Sequence, residues 1–265
     1  MLAPRIILTR QPGQTGRLES QLTAAGVEVG LLPMLDFALP TSTNELSDHL
    51  ERARKGEYDW IVITSPNTVR ALNKMGYFNS ALPVRWAMVG GGTADVFTKK
   101  SNLAPDFVAT EQSGQGLVNQ FPPTQEPQKV LLPVSHIATR TVETGLREAG
   151  YHVTRITAYQ TVSYGDVEPS RRILDTQETP YRIYTAEQLA ETAATMAAIV
   201  LTSPSNTRAF LQHCEDFPAL NLMTLLAIGN PTAAAVSEHG RIPEAVLPHP
   251  DADSIIAWLT EHHYL

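Results

Sequence analysis

Hydroxyl side chains gather at two corners of this chain, Thr64-Ser65-Pro66-Asn67-Thr68 and Thr202-Ser203-Pro204-Ser205-Asn206. In both, a short apolar run breaks at Ser/Thr/Pro/Asn and a helical pattern follows. Ser65 therefore reads as a helix N-cap, with Pro66 suited to the first turn. The start of a helix leaves backbone N–H groups unpaired at the positive end of its dipole, a natural seat for carboxylate or phosphate. Similar strand ends carry Arg10, Thr93 and Thr232, and with Ser65, Thr68, Ser203 and Ser205 these are the candidate anion-binding residues. Ordinary capping accounts for the same residue types, so both readings stay open.

Tyr159, in "ITAYQTV", offers different chemistry. A phenol, with a pKa of about 10, stays protonated at neutral pH and can donate a proton or a hydrogen bond. A packed aromatic on a β-segment is the alternative.

Other catalytic signatures are missing. The glycines at 90–92 do not form GxGxxG, and there is no GxxxxGK[ST], HExxH or GxSxG. The histidines, among them His136, His213, His239, His249, His262 and His263, show no repeated ligand spacing, so no metal site is expected. Cys214 is the lone cysteine, which excludes an intrachain disulfide and reads as a packed small hydrophobe. A net charge of −7 without a basic stripe argues against nucleic acid and anionic membranes as partners. No signal-peptide pattern opens the sequence and no apolar run is long enough to span a bilayer, so a cytoplasmic location is expected.

The elements that must hold these residues come in pairs. "IVITSPNTVRAL" (61–72) returns as "IVLTSPSNTRAF" (199–210), with seven of twelve positions identical. "AMVGGGTADVF" (87–97) is echoed by "LAIGNPTAAAV" (226–236), and "DFVATEQSGQGLVNQF" (106–121) by "EAVLPHPDADSIIAWL" (244–259). The stretch from Arg5 resembles that from Lys129 at an offset of 124, whereas the corners repeat at 138. Some fourteen residues therefore enter between about 160 and 198, in a polar, Pro-containing stretch; Arg171 and Arg172 there acquire no role. Apolar runs followed by helical patterns, without hairpin signals, predict parallel sheets and an α/β fold of two doubly wound lobes. The long segments "GVEVGLLPMLDFALP" and "GYHVTRITAYQTVSYG" predict two chain crossings between lobes. Ligands of open α/β sheets bind at the carboxyl ends of the strands. A two-lobed binding protein of the periplasmic type and a nucleotide-sugar transferase fit the bare repeat too. The missing leader disfavours the first, and the missing glycine-rich fingerprint the second.

In order along the chain, "ILTRQPGQ", "WIVITSPNTVRAL", "MVGGGTA", "LPVSHIATRTVETGLREAGYHVTRITAYQT", "IVLTSPSNTRAF" and "LAIGNPTAAAVSEHG" resemble uroporphyrinogen-III synthases. The resemblance implies two flavodoxin-like lobes joined by a two-stranded β-ladder. Lobe 1 would be 1–36 with 163–265 and lobe 2 would be 40–158, with linker strands at about 33–40 and 156–163. Each lobe would present its corner to a shared cleft. The implied reaction uses no metal or organic cofactor. Linear hydroxymethylbilane loses its terminal hydroxyl as water, and the resulting cation attacks the substituted carbon of the last pyrrole. The spiro intermediate fragments and recloses with ring D inverted. Tyr159 falls on the tyrosine thought to assist the hydroxyl's departure, and Ser65, Thr93, Ser203 and Thr232 fall on cleft-lining positions. A monomer is the expected state.

Overall fold

The computed structural model describes residues 3–79, 83–174 and 178–265. In chain order, the first half holds β1 (Arg5–Leu8), α1 (Arg17–Ala24), β2 (Glu28–Leu31), β3 (Leu35–Ala38), α2 (Asn44–Arg54), β4 (Trp60–Ile63), α3 (Pro66–Lys74), β5 (Arg85–Met88), α4 (Gly91–Ser101), β6 (Phe107–Val108) and α5 (Gly114–Gln120). There follow β7 (Lys129–Ser135), α6 (Thr141–Glu148), β8 (His152–Ser163), β9 (Arg182–Ile183), α7 (Ala186–Thr192), β10 (Ala198–Leu201), α8 (Pro204–Asp216), β11 (Leu225–Ala227), α9 (Asn230–Ser237), β12 (Ala245–Val246) and α10 (Ala252–Glu261).

The fold is α/β, and the chain divides into two compact units. One comprises Met1–Asp36, Ser163–Gly165 and Asp175–Leu265; the other, Phe37–Val162 with Asp166–Leu174. Two six-stranded sheets run β12-β11-β10-β1-β2-β9 and β3-β8-β7-β4-β5-β6. Every pairing in the first is parallel, as are β8–β7–β4–β5–β6 in the second.

Alternation along the central strands explains the layering. In β4, Ile61 and Ile63 face a core shared with α2, α3 and α4, while Trp60 and Val62 face one shared with α5 and α6. In β10, Ala198 and Val200 face α1 and α10, while Ile199 and Leu201 face α7 and α8. A strand covered on both sides is apolar at every position, which is why "WIVI" and "AIVL" are wholly buried.

The repeat persists in how helices end and pack. Gly26 and Gly150 hold left-handed φ of 84° and 91°, and Val27 and Tyr151 donate their N–H groups back to the Leu22 and Leu146 carbonyls. This is a six-to-one closure in which glycine alone avoids a Cβ penalty. α3 packs on α4 as α8 does on α9, and α5 on α6 as α10 does on α1.

One assignment differs from the sequence reading. All residues after 163 were expected in one lobe, yet Asp166–Leu174 packs in the other unit. The cause is local: Ile173 joins the core of that unit, and the backbone around Arg172 pairs antiparallel with that around Ala38.

Candidate functional site

The Ser65 corner begins where β4 stops. Ser65 is extended (φ −152°, ψ 141°), and its Oγ accepts the Asn67 N–H at 3.2 Å. Pro66 opens α3 where an N–H would have no partner. Thr68 is fully buried, and its hydroxyl donates to the Pro133 carbonyl at 3.3 Å, tying the helix start to the neighbouring β7.

Tyr159 reaches this corner from β8. Its hydroxyl donates to Ser65 Oγ at 3.2 Å, and its ring meets Phe37 edge-on at 6.0 Å. A register shift brings it there. Val134 pairs with Thr157 but Ser135 pairs with Tyr159, so Ala158 is an extra residue on β8. Strict alternation would send Tyr159 to the face opposite Ile156 and Ala158; after the bulge all three share one core cluster. Burial raises the phenol's pKa above its ordinary value, opposed by its hydrogen bonds with Ser65 and Ser135. The hydroxyl is therefore protonated throughout the neutral range and available as a donor.

The Ser203 corner repeats the frame with other side chains. Ser203 is extended (φ −165°, ψ 157°), accepts the Asn206 N–H at 3.2 Å, and lies 3.3 Å from the exposed Ser205 hydroxyl. Asn206 Nδ2 donates to the Thr9 carbonyl at 2.9 Å. In the repeat, Asn206 stands where Thr68 does and Thr9 where Pro133 does, so each corner is stitched to the strand beside it at the same place. Thr202 adds to the stitch, donating its N–H to Thr9 Oγ1 and its hydroxyl to the Thr9 carbonyl.

Thr93 and Thr232 occupy the first turns of α4 and α9, and their N–H groups bond Gly90 and Gly229 at 3.1 Å each. Both are nearly buried. Gly90 and Gly229 share extended backbone angles, φ 171° with ψ 174° and 173°. Arg10 Nη1 contacts Glu19 Oε1 at 3.1 Å; Glu19 is fully buried and also accepts the Gly16 N–H. The structure thus gathers Ser65, Thr68 and Tyr159 in one unit and Ser203 with Ser205 in the other. Arg10 is drawn onto a buried carboxylate.

Three participants escaped the sequence reading as partners of Tyr159. Ser135 and Phe37 contact it through strand register, and Ala158 is the bulge that turns it. Its clustering of hydroxyls at strand ends was the one available signal. Among the described residues, no group of three or more His, Cys, Asp or Glu is arranged to hold a metal ion. No described helix is long and apolar enough to cross a membrane.

The family model described as "Uroporphyrinogen-III synthase HemD" matches residues 16–257. The chain is 30% identical over 244 residues to the chloroplastic uroporphyrinogen-III synthase of Oryza sativa, spanning 89% of this chain and 73% of that protein. It is 28% identical over 165 residues to the Synechococcus elongatus enzyme, spanning 60% of this chain and 61% of that one. A solved uroporphyrinogen III synthase from Thermus thermophilus superposes with TM-score 0.61 at 18% identity, over 99% of this chain and all of that one. The Helicobacter pylori enzyme gives 0.58 at 17%, over 98% and 99%. These two likenesses concern the fold. Given the span and order of the matches, the chain belongs to the uroporphyrinogen-III synthase family.

Proposed function

We propose that Tyr159 and the two Ser/Thr corners carry out the family's reaction in this chain, the cyclisation of hydroxymethylbilane in tetrapyrrole biosynthesis. The enzyme is a lyase: water leaves and a ring closes. The observation that carries the residue assignment is the Tyr159 hydroxyl seated on Ser65 Oγ at the carboxyl end of the sheet.

In this reading the phenol turns its O–H toward the departing hydroxyl, and the Ser65 and Ser135 hydroxyls take up the charge that builds on its oxygen. Burial keeps the phenol protonated until the C–O bond breaks; its proton then passes to the leaving oxygen so that water departs, and the pyrrole carbon that closes the ring returns a proton to the phenolate. The cation so formed attacks the substituted carbon of the last pyrrole, and the spiro intermediate reopens and recloses with ring D inverted. Uncatalysed closure gives the symmetrical type I isomer, so holding one reactive shape is the protein's main contribution. Carboxylates of the substrate are assigned to the helix starts, with Ser65, Ser203, Ser205, Thr93 and Thr232 as donors. Thr68 acts through the corner it stitches, and Arg10 through Glu19 or by direct contact.

The same reading takes the two units as flavodoxin-like lobes joined by a two-stranded ladder at about 33–40 and 156–163. It also has the chain working as a cytoplasmic monomer without metal or cofactor. The test generates hydroxymethylbilane in situ, adds the purified chain, and separates the oxidised porphyrin isomers. Mostly type III is expected; type I alone, at the protein-free rate, would overturn the reading.

A further inference from the structure

The stretch without a counterpart in the first half returns to the unit that contains Tyr159, and it does so with specific bonds. Leu39 donates its N–H to the Arg171 carbonyl at 2.8 Å, and Ile173 donates to the Phe37 carbonyl at 2.9 Å. The Arg171 side chain bridges Leu39, just past the end of β3, and Gln160 on β8. Its Nε and Nη2 both donate to the Leu39 carbonyl, at 3.0 and 2.8 Å, and Nη2 also donates to Gln160 Oε1 at 2.9 Å.

We propose that Arg171 is a positioning residue for Tyr159, clamping the strand that carries the phenol to the strand that carries Phe37. The proposal rests on the role given to Tyr159 above. Gln160 directly follows Tyr159, and Leu39 lies two residues beyond Phe37, whose ring edges the phenol. One guanidinium therefore sets both the strand behind the phenol and the aromatic against it. A guanidinium only donates, so the Gln160 amide must turn its oxygen inward, which fixes that side chain as well. Ile173, on the same strap, joins the core cluster that holds Tyr159. The clamp offsets a local weakness: the bulge at Ala158 interrupts the pairing of β8 with β7 just before Tyr159.

A lysine cannot copy this geometry, because reaching a carbonyl and an amide oxygen together needs the planar fork. The test compares steady-state type III formation by the full chain, Arg171→Gln, Arg171→Lys and Gln160→Leu, each also in a Tyr159→Phe background. For Arg171→Gln a fall in kcat of about fivefold to tenfold is expected, with KM within about twofold, the signature of lost transition-state contact rather than lost binding. Arg171→Lys should recover part of that loss, and Gln160→Leu should show a smaller fall in kcat. With Tyr159→Phe already present, Arg171→Gln should add little. An unchanged kcat in Arg171→Gln, or the same loss with and without the phenol, overturns the proposal. Should Arg171→Gln not fold, an unchanged kcat in Gln160→Leu overturns it instead. Absence of type III from the unsubstituted chain would overturn the enzymatic reading itself, a distinct result.

Discussion

The Ser65 and Ser203 corners are the same local structure with different chemistry attached. Both cap a helix with serine, both place proline at its first position, and both bond their helix start to the end of the adjacent strand. The Ser65 hydroxyl, however, accepts from a buried phenol, whereas the Ser203 hydroxyl faces the exposed Ser205. At the place in the repeat that Tyr159 occupies, the other half has Leu35. The repeated strand-turn-helix corner thus caps two helices in the same way, and a difference along one strand sets a phenol against only one of them.

The largest effect expected from breaking this comparison is at Tyr159. Tyr159→Phe keeps the ring and its contact with Phe37 and removes only the donor, so type III turnover should fall roughly tenfold to a hundredfold. Unchanged turnover would return Tyr159 to the role of packed aromatic. Next comes Arg10, whose sequence reading as a substrate contact competes with its contact to the fully buried Glu19. Arg10→Ala should lower unfolding stability by about 1–3 kcal/mol in chemical denaturation, because a buried carboxylate loses its partner. A loss confined to KM would instead support direct contact with substrate.

Smaller changes sharpen the stitching. Thr68→Val is nearly isosteric and should cost about 1 kcal/mol of stability, the worth of one buried hydrogen bond. A comparable cost from Asn206→Ala would support equal stitching of the two corners. The least change is expected from pH. The Tyr159 pKa is raised above 10.0 by burial, so both its contribution to stability and its donor function are complete below that value. Both decline only as pH climbs from there through the raised value. Type III formation that falls with the phenol's titration below pH 10.0 would contradict the burial.

Much of this was legible because it rests on short-range rules. "WIVITSP" and "AIVLTSP" announce a fully buried parallel strand and a capped helix, and the paired offsets announce two copies. Three things were not legible. A bulge at Ala158 leaves no composition signal, since it depends on where β8 pairs with β7. Arg10 reads as an exposed cation at a strand end, and its attraction to Glu19 depends on the helix start that buries that carboxylate. The stretch around Arg171 is polar enough to read as a loop, yet Val167, Ile173 and Leu174 are buried within it and Ile173 joins the core around Tyr159.

The comparison is tested most directly by turnover of Ser65→Ala and Ser203→Ala, measured side by side on in-situ hydroxymethylbilane. Each variant loses one N-cap, so each should lose a similar stability, about 0.5–2 kcal/mol. If chemistry resides at the Ser65 corner alone, Ser65→Ala should lower kcat about fivefold, as one hydrogen bond of about 1 kcal/mol implies, while Ser203→Ala leaves kcat within about twofold. Equal losses of kcat at the two corners would contradict the division of labour between them.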